Sequence, residues 1–344
     1  MTDTTNKQNS SLGGPDEGDG QSARAFDWLS FARKQVQQSL ALGTLIVLFI
    51  FFSLASPNFL SWSNISGVLL STTVIGILAL GTTFVIVTGG IDLSIGTGMT
   101  LSAVMTGLLI VNFGLPVWAG VAGGVATGVI IGLVNGFNVA FLGLPPFIAT
   151  LAMMMIAQGL SLILSGVKPI YFSTVAPDFN QLAIGSLIPN LPNAVLITVG
   201  LALLAAFVLG KTALGRYTFA IGSNEEAARL SGVNTRRWKV MIYSFSGIFT
   251  GFAGVVIAAR LDSAQPQIGM GYELQAIAAV IIGGTSLLGG RGSIAGTVIG
   301  ALIMAVLING LRIMSIQTEW QTVVVGMVIL FAVYADNLRH KRGG

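Results

Sequence analysis

From residue 35 to residue 167 the chain carries one formally charged side chain, Asp92. A folded domain in water draws most of its polar surface from Lys, Arg, Glu and Asp. A stretch this long with a single charge can be covered only by lipid. The rest of the composition agrees, since 9% of the 344 residues are charged and 53% are apolar before the 45 glycines are added, whereas soluble domains are about 25% charged. Length alone suggests two soluble domains at roughly 150 residues each; the charge pattern replaces them with one membrane-embedded unit. The chain has no cysteine, which excludes disulfides, thiolate metal sites and cysteine nucleophiles. The net charge of +4 does not indicate a nucleic-acid partner, because the cations gather at the edges of apolar runs and not in one patch.

Ten apolar runs reach spanning length, near 40–55, 67–88, 94–112, 116–142, 146–165, 193–210, 239–259, 274–290, 293–311 and 319–335. Glycines interrupt several of them, which allows broken or re-entrant elements. Cations orient the runs. The loop 211–239 holds Lys211, Arg216, Arg229, Arg236, Arg237 and Lys239, whereas the loop 166–192 holds only Lys168, so the first is expected in the cytoplasm and the second outside. Arg24, Arg33 and Lys34 at one terminus, and Arg339, Lys341 and Arg342 at the other, place both ends inside and demand an even number of crossings, which ten satisfies. The expected fold is therefore an all-α polytopic membrane protein of about ten helices. Residues 1–34 read as a disordered cytoplasmic tail, 35–338 as the transmembrane domain and 339–344, with the lone His340, as a cytoplasmic C-terminal tail. Ser53-Leu54-Ala55 loosely resembles a signal-peptidase site, but the spans that follow favour an uncleaved first helix.

Within 211–239, Ser223 or Asn224 can cap a short helix that carries Glu225 and Glu226 in its first turn and ends before Gly232. Such a helix is either a docking element or an ordinary solvated connector. Residues 89–98 and 283–292 align at a constant offset that pairs Gly89 with Gly283, Gly90 with Gly284, Leu93 with Leu287, Gly96 with Gly290 and Gly98 with Gly292, a weak internal repeat of the kind that marks transport paths. Six spans separate the copies, which implies a parallel relation unless the similarity is only local. Gly120, Gly124, Gly128, Gly132 and Gly136, and again Gly292, Gly296 and Gly300, draw stripes that let another backbone approach. Asp92 is either the cap of the helix that follows it or a gate residue, since a carboxylate at the bilayer centre costs about 2.5 to 3.5 kcal/mol. Gly210-Lys211-Thr212 lacks the upstream glycine of a phosphate-binding loop, position 205 being Ala. With no His pair and no paired acidic motif, the chain offers no candidates for metal or catalytic chemistry.

Several segments in order then resemble the permease subunit of bacterial ATP-binding-cassette importers for monosaccharides, nearest to the ribose type. They are Ser56-Pro57-Asn58-Phe59, Gly90-Ile91-Asp92-Leu93-Ser94, Pro146-Phe147-Ile148-Ala149-Thr150-Leu151, Leu214-Gly215-Arg216-Tyr217, Asn224 through Gly232, Ser263-Ala264-Gln265-Pro266, Gly271-Tyr272-Glu273-Leu274 and Gly283-Gly284-Thr285-Ser286-Leu287. The resemblance implies a ten-helix fold like that of the vitamin B12-type importers, a second permease subunit, an ATPase subunit that binds the ATP, and a periplasmic sugar-binding protein. It makes Glu225, Glu226, Ala227, Ala228, Arg229 and Gly232 the ATPase-coupling segment, with Glu225 an acid where many relatives are neutral. Pathway or gate candidates are Asp92, Asn135, Asn138, Gly283 and Gly284, and the external cations Lys168, Arg260 and Arg312 are candidates for docking the binding protein. No cofactor is expected in this chain. The competing expectation is an ion-coupled carrier, which would need acids or histidines within the bundle, where the sequence offers Asp92, with Glu273 and Glu319 near span ends. A hexose, inositol or nucleoside is the alternative cargo.

Overall fold

The computed structural model describes residues 39–341. The N-terminal segment 1–34, with Arg24, Arg33 and Lys34, and residues 342–344 lie outside the described residues. Helix boundaries follow local chemistry. α1 (Ser39–Ala55) leads into α2 (Trp62–Val87), where the Ser61 hydroxyl accepts the Asn64 N–H. Proline, with φ already fixed near the helical value, stands immediately before α4 (Val117–Ala140) as Pro116, before α5 (Pro146–Ser165) as Pro145 and before α6 (Asn193–Lys211) as Pro192. Left-handed glycine ends α2 at Gly89, φ +78°, and α5 at Gly166, φ +62°. α3 (Ile95–Gly107) closes in one π-helical turn over Leu108–Asn112. Two short helices, α7 (Ala213–Ser223) and α8 (Glu225–Leu230), precede the long α9 (Thr235–Leu261), which is followed by α10 (Tyr272–Ile282), α11 (Ile294–Ile313) and α12 (Thr318–Lys341).

Among the described residues seven helices are long and apolar enough to cross a membrane, namely α2, α3 with its π turn, α4, α5, α6, α9 and α11; three shorter apolar helices, Ser39–Ala55, Tyr272–Ile282 and Thr318–Tyr334, account for the remaining runs. The run at 274–290 does not form one span. Its helix, α10, stops at Ile282, because Gly284, Gly289 and Gly290 all take positive φ and turn the chain back before α11.

α2 is the central helix, its apolar window 89% buried, while α6 at 22% lies on the rim. The sequence stripe of glycines on α4 does what its spacing suggests. A β-carbon at Gly128 would land on the backbone of Gly247 and Gly251 in α9, one at Gly132 on Tyr243 and one at Gly136 on Val240, so the two backbones touch along the lower half of α4. Gly120 and Gly124 instead face α3 at Ile110 and Thr106. On α11, Gly296 and Gly300 meet the α10 backbone at Gly283 and Ala279 in the same way, whereas Gly292 lies in the preceding turn, against Val87.

The two ends of the bundle differ. One gathers α7, α8, Lys211, Arg216, Arg236 and Arg237, and is called the basic end below. At the other, the expectation of a purely helical chain needs one correction. Ile170–Tyr171 (β1) pairs antiparallel with Ser263–Ala264 (β2), tying the loop after α5 to the end of α9. Strands of two residues carry no periodicity to read. That loop is packed, with Phe172 and Phe179 buried and stacked at 4.1 Å.

Candidate functional site

α8 is built as a rigid projection. The Asn224 side chain accepts the Ala227 N–H at 2.9 Å, and Glu225 and Glu226 occupy the positive first turn. At the far end the Gly232 N–H donates to Arg229 O and the Val233 N–H to Ala228 O, with Gly232 at φ +85°; these are the paired bonds of a Schellman stop. Asn234 then caps α9 by accepting the Arg237 N–H. Lys239 reaches back from α9 to Glu225 at 2.7 Å, fixing the angle between the two helices. Only Ala228 is buried against the chain, and the other five side chains of α8 are exposed.

Behind α8, three elements converge without side chains between them. The Gly290 N–H donates to Val87 O at 2.9 Å, joining the turn before α11 to the last turn of α2. A β-carbon on Gly222, near the end of α7, would strike both Val87 O and Gly290 N. The Ser223 hydroxyl lies against Gly290. The two glycine-rich copies thus meet in space, and both follow helices that run toward the basic end. Their similarity is confined to the turn, because α3 starts at Ile95 while α11 waits until Ile294.

Asp92, three residues beyond Gly89, is buried at 3% exposed. Its Oδ1 accepts the Ser94 N–H at 2.9 Å and the Ser94 hydroxyl at 2.6 Å, and Asn135 Nδ2 of α4 donates to Ser94 Oγ at 2.8 Å and, more loosely, to Asp92 Oδ1. Burial raises the carboxyl above the ordinary carboxylate range, and the bonds from Ser94 and Asn135 pull it back. Ser94 is the first residue before α3 and offers no capping side chain of its own, so Asp92 organises the helix start from two residues upstream. Every one of these contacts needs an acceptor oxygen, not a charge. Asp92→Asn is therefore expected to keep fold and transport, whereas Asp92→Ala strands the Ser94 N–H and the Ser94 hydroxyl at about 1–3 kcal/mol each and lowers the melting temperature of the purified protein. Equal loss in both variants would make the charge essential.

Of the other pathway candidates, Asn135 joins Asp92, Gly283 packs on Gly296, Gly284 shapes the turn at φ +96°, and Asn138 is half-buried on α4. Asn135 is fully buried and Asp92 nearly so, which places both in the subunit interior. Among the cations at the ribbon end, Lys168 and Arg312 are exposed. Arg260 is engaged, donating to Leu70 O at 3.2 Å and to Ser71 Oγ at 3.5 Å. Among the described residues no three Asp, Glu or His side chains gather as a metal site. One residue escaped the sequence reading. Asp336 of α12 accepts the Leu287 N–H at 3.2 Å and the Ser286 hydroxyl at 3.4 Å, so the second glycine turn is also held by a carboxylate, here brought from another helix.

Residues 64–333 match the family described as branched-chain amino acid transport system / permease component. The chain belongs to this permease family. The permease is 42% identical to the ribose import permease of Escherichia coli (strain K12) over 89% of this chain and 96% of that one, and 44% identical to the ribose import permease of Bacillus subtilis (strain 168) over 85% and 90%. It is 38% identical to the D-allose transport system permease of Escherichia coli (strain K12), over 86% of this chain and 90% of the relative. The family segment runs from the first turn of α2 into α12, so it includes α7, α8, both glycine turns and the Asp92 cluster of the permease.

Proposed function

We propose that this chain is the membrane-spanning subunit of an ATP-driven importer for a ribose-type monosaccharide, working as a pair of copies with a separate ATPase and an external sugar-binding protein. The observation that carries the reading is α8, a doubly stopped helix that projects from the basic end and shows all but one of its side chains to solvent. In this reading the seven long helices, α1, α12, and α10 together with the irregular segment before it make ten crossings, arranged as in the vitamin B12-type importers. The basic end faces the cytoplasm by the positive-inside rule, and the ribbon end, with Lys168 and Arg312, faces the binding protein.

ATP-driven movement of the partner is received by α8 and passed through Glu225–Lys239 to α9, and through Gly222 and Ser223 to Val87 and Gly290. A push on α7 thus reaches α2, α10 and α11 together, which is how one docking event tips the bundle between two access states. Support for the sugar comes from the relatives named above, and the dearth of charge in the spans suits a neutral cargo. Proteoliposomes holding the full complex are expected to take up labelled ribose only with ATP and the binding protein. Uptake driven by a proton or sodium gradient with no ATPase present would replace this reading with that of an ion-coupled carrier.

A further inference from the structure

The segment between α9 and α10 crosses half the bundle without being a helix. It leaves the ribbon end at Ser263–Ala264, and Gln158 of α5 donates to Pro266 O at 3.2 Å on the way in. The Gly269 N–H then donates to Thr100 Oγ1 at 2.9 Å, and a β-carbon at Gly96 would touch both Gly269 O and the Glu273 carboxylate. Gly98, half a turn further along α3, faces Thr250, just past the middle of α9. The first turn of α10 therefore sits level with the middle of a 27-residue helix. With 11 residues α10 covers about 16 Å, roughly half of a 30 Å hydrocarbon core.

Irregular backbone at that depth persists only where protein covers it or water reaches it. The described residues do not cover it fully. Gln267, Met270 and Leu274 are exposed, Tyr272 and Gln275 half-exposed, and the side-chain amides of Gln267 and Gln275 make no hydrogen bond among the described residues. Glu273, the one acid here, is turned inward onto the Gly271 N–H. What faces outward at mid-depth is uncharged: Met270 and Leu274 are apolar, and beside them the side-chain amides of Gln267 and Gln275 stand as hydrogen-bond donors and acceptors. Lipid is a poor neighbour for such groups, and a polyhydroxylated, uncharged solute is a good one, since each amide can both give and accept a bond to vicinal hydroxyls.

We propose that residues 265–271 and the first turn of α10 form the mid-membrane wall of the solute path, with Gln267 and Gln275 as the groups that contact the passing sugar. This rests on the importer reading and moves the path away from Asp92 and Asn135, which lie inside the subunit. The absence of cysteine from the sequence makes the test direct. Gln267→Cys, Gln275→Cys and Met270→Cys are placed singly in the full complex, with cysteine-free partners, and treated with a charged, membrane-impermeant thiosulfonate in each nucleotide state. The expected result is labelling of this chain in at least one state, protection by ribose with binding protein, and loss of uptake on modification; Leu203→Cys on the rim helix stays unlabelled, and Leu187→Cys, at an exposed loop leucine, labels in the complex without binding protein. If the three positions resist the reagent in every state while Leu187→Cys reacts, the wall is a dry interface and the proposal falls. ATP-independent uptake by the unsubstituted complex would instead overturn the importer reading itself.

Discussion

Gly128→Leu is expected to abolish recovery of folded permease from membranes. At this position α4 has no room for even a β-carbon, because the Gly247 carbonyl and the Gly251 amide of α9 already occupy the space. Side chains can swing aside, but two helix backbones can yield only by separating. Overpacking a well-filled core by single methylenes already costs about 1–3 kcal/mol, and the whole folded state of a typical domain is stabilised by about 5–15 kcal/mol. Four added carbons between touching backbones would pry α4 from α9 and take Gly132 and Gly136 with it. Gly200→Leu on α6 is the matched control, since nothing lies within 4 Å of its β position. Detergent extraction followed by size exclusion and thermal melting should show wild-type behaviour for Gly200→Leu and aggregated or absent protein for Gly128→Leu. A monodisperse Gly128→Leu protein with an unchanged melt would mean that the α4–α9 contact is not what holds the bundle.

The same pair of glycines shows how far sequence reading reaches. A stripe at every fourth residue is a local pattern, and packing is its local consequence, so the α4 stripe was legible without coordinates. The capped α8 was legible for the same reason: Asn224, the two glutamates and Gly232 lie within nine residues and act on one another. Properties that depend on distant partners were not. Arg260 counts as an external cation along the chain, yet its guanidinium lies against Leu70 and Ser71, about 190 positions away in sequence. Asp336 holds a turn fifty positions upstream. The run at 274–290 misleads because hydropathy averages over Leu287, Leu288 and four glycines as though they were helix, and only the positive φ values reveal a turn. Gln267 and Gln275 drew no attention because an isolated glutamine carries no spacing signal; their interest lies in depth and in what fails to cover them.

Leu230→Asp is expected to uncouple the permease while leaving it folded. Leu230 is 79% exposed at the end of a helix that stands in water, and it touches too little of its own chain to stabilise it. The charges around it are already matched, Glu225 with Lys239 at 2.7 Å and Glu226 with Arg229 at 3.7 Å, so the projecting face offers little net charge to a partner. Docking through α8 should accordingly depend weakly on salt and strongly on its apolar anchor. Interface anchors of this kind are worth about 2 kcal/mol or more, which is about 30-fold in affinity, and an aspartate adds the cost of carrying a charge into the partner's pocket. Leu187→Asp, at an equally exposed leucine of the loop joined to the ribbon, is the control, 82% exposed in the native chain. Co-purification with the ATPase subunit and ATP-driven ribose uptake should both fall for Leu230→Asp at unchanged melting temperature, and co-purification should survive in Leu187→Asp. Wild-type coupling in Leu230→Asp would remove α8 as the anchor and leave the α7–Val87–Gly290 junction to receive the partner by another surface.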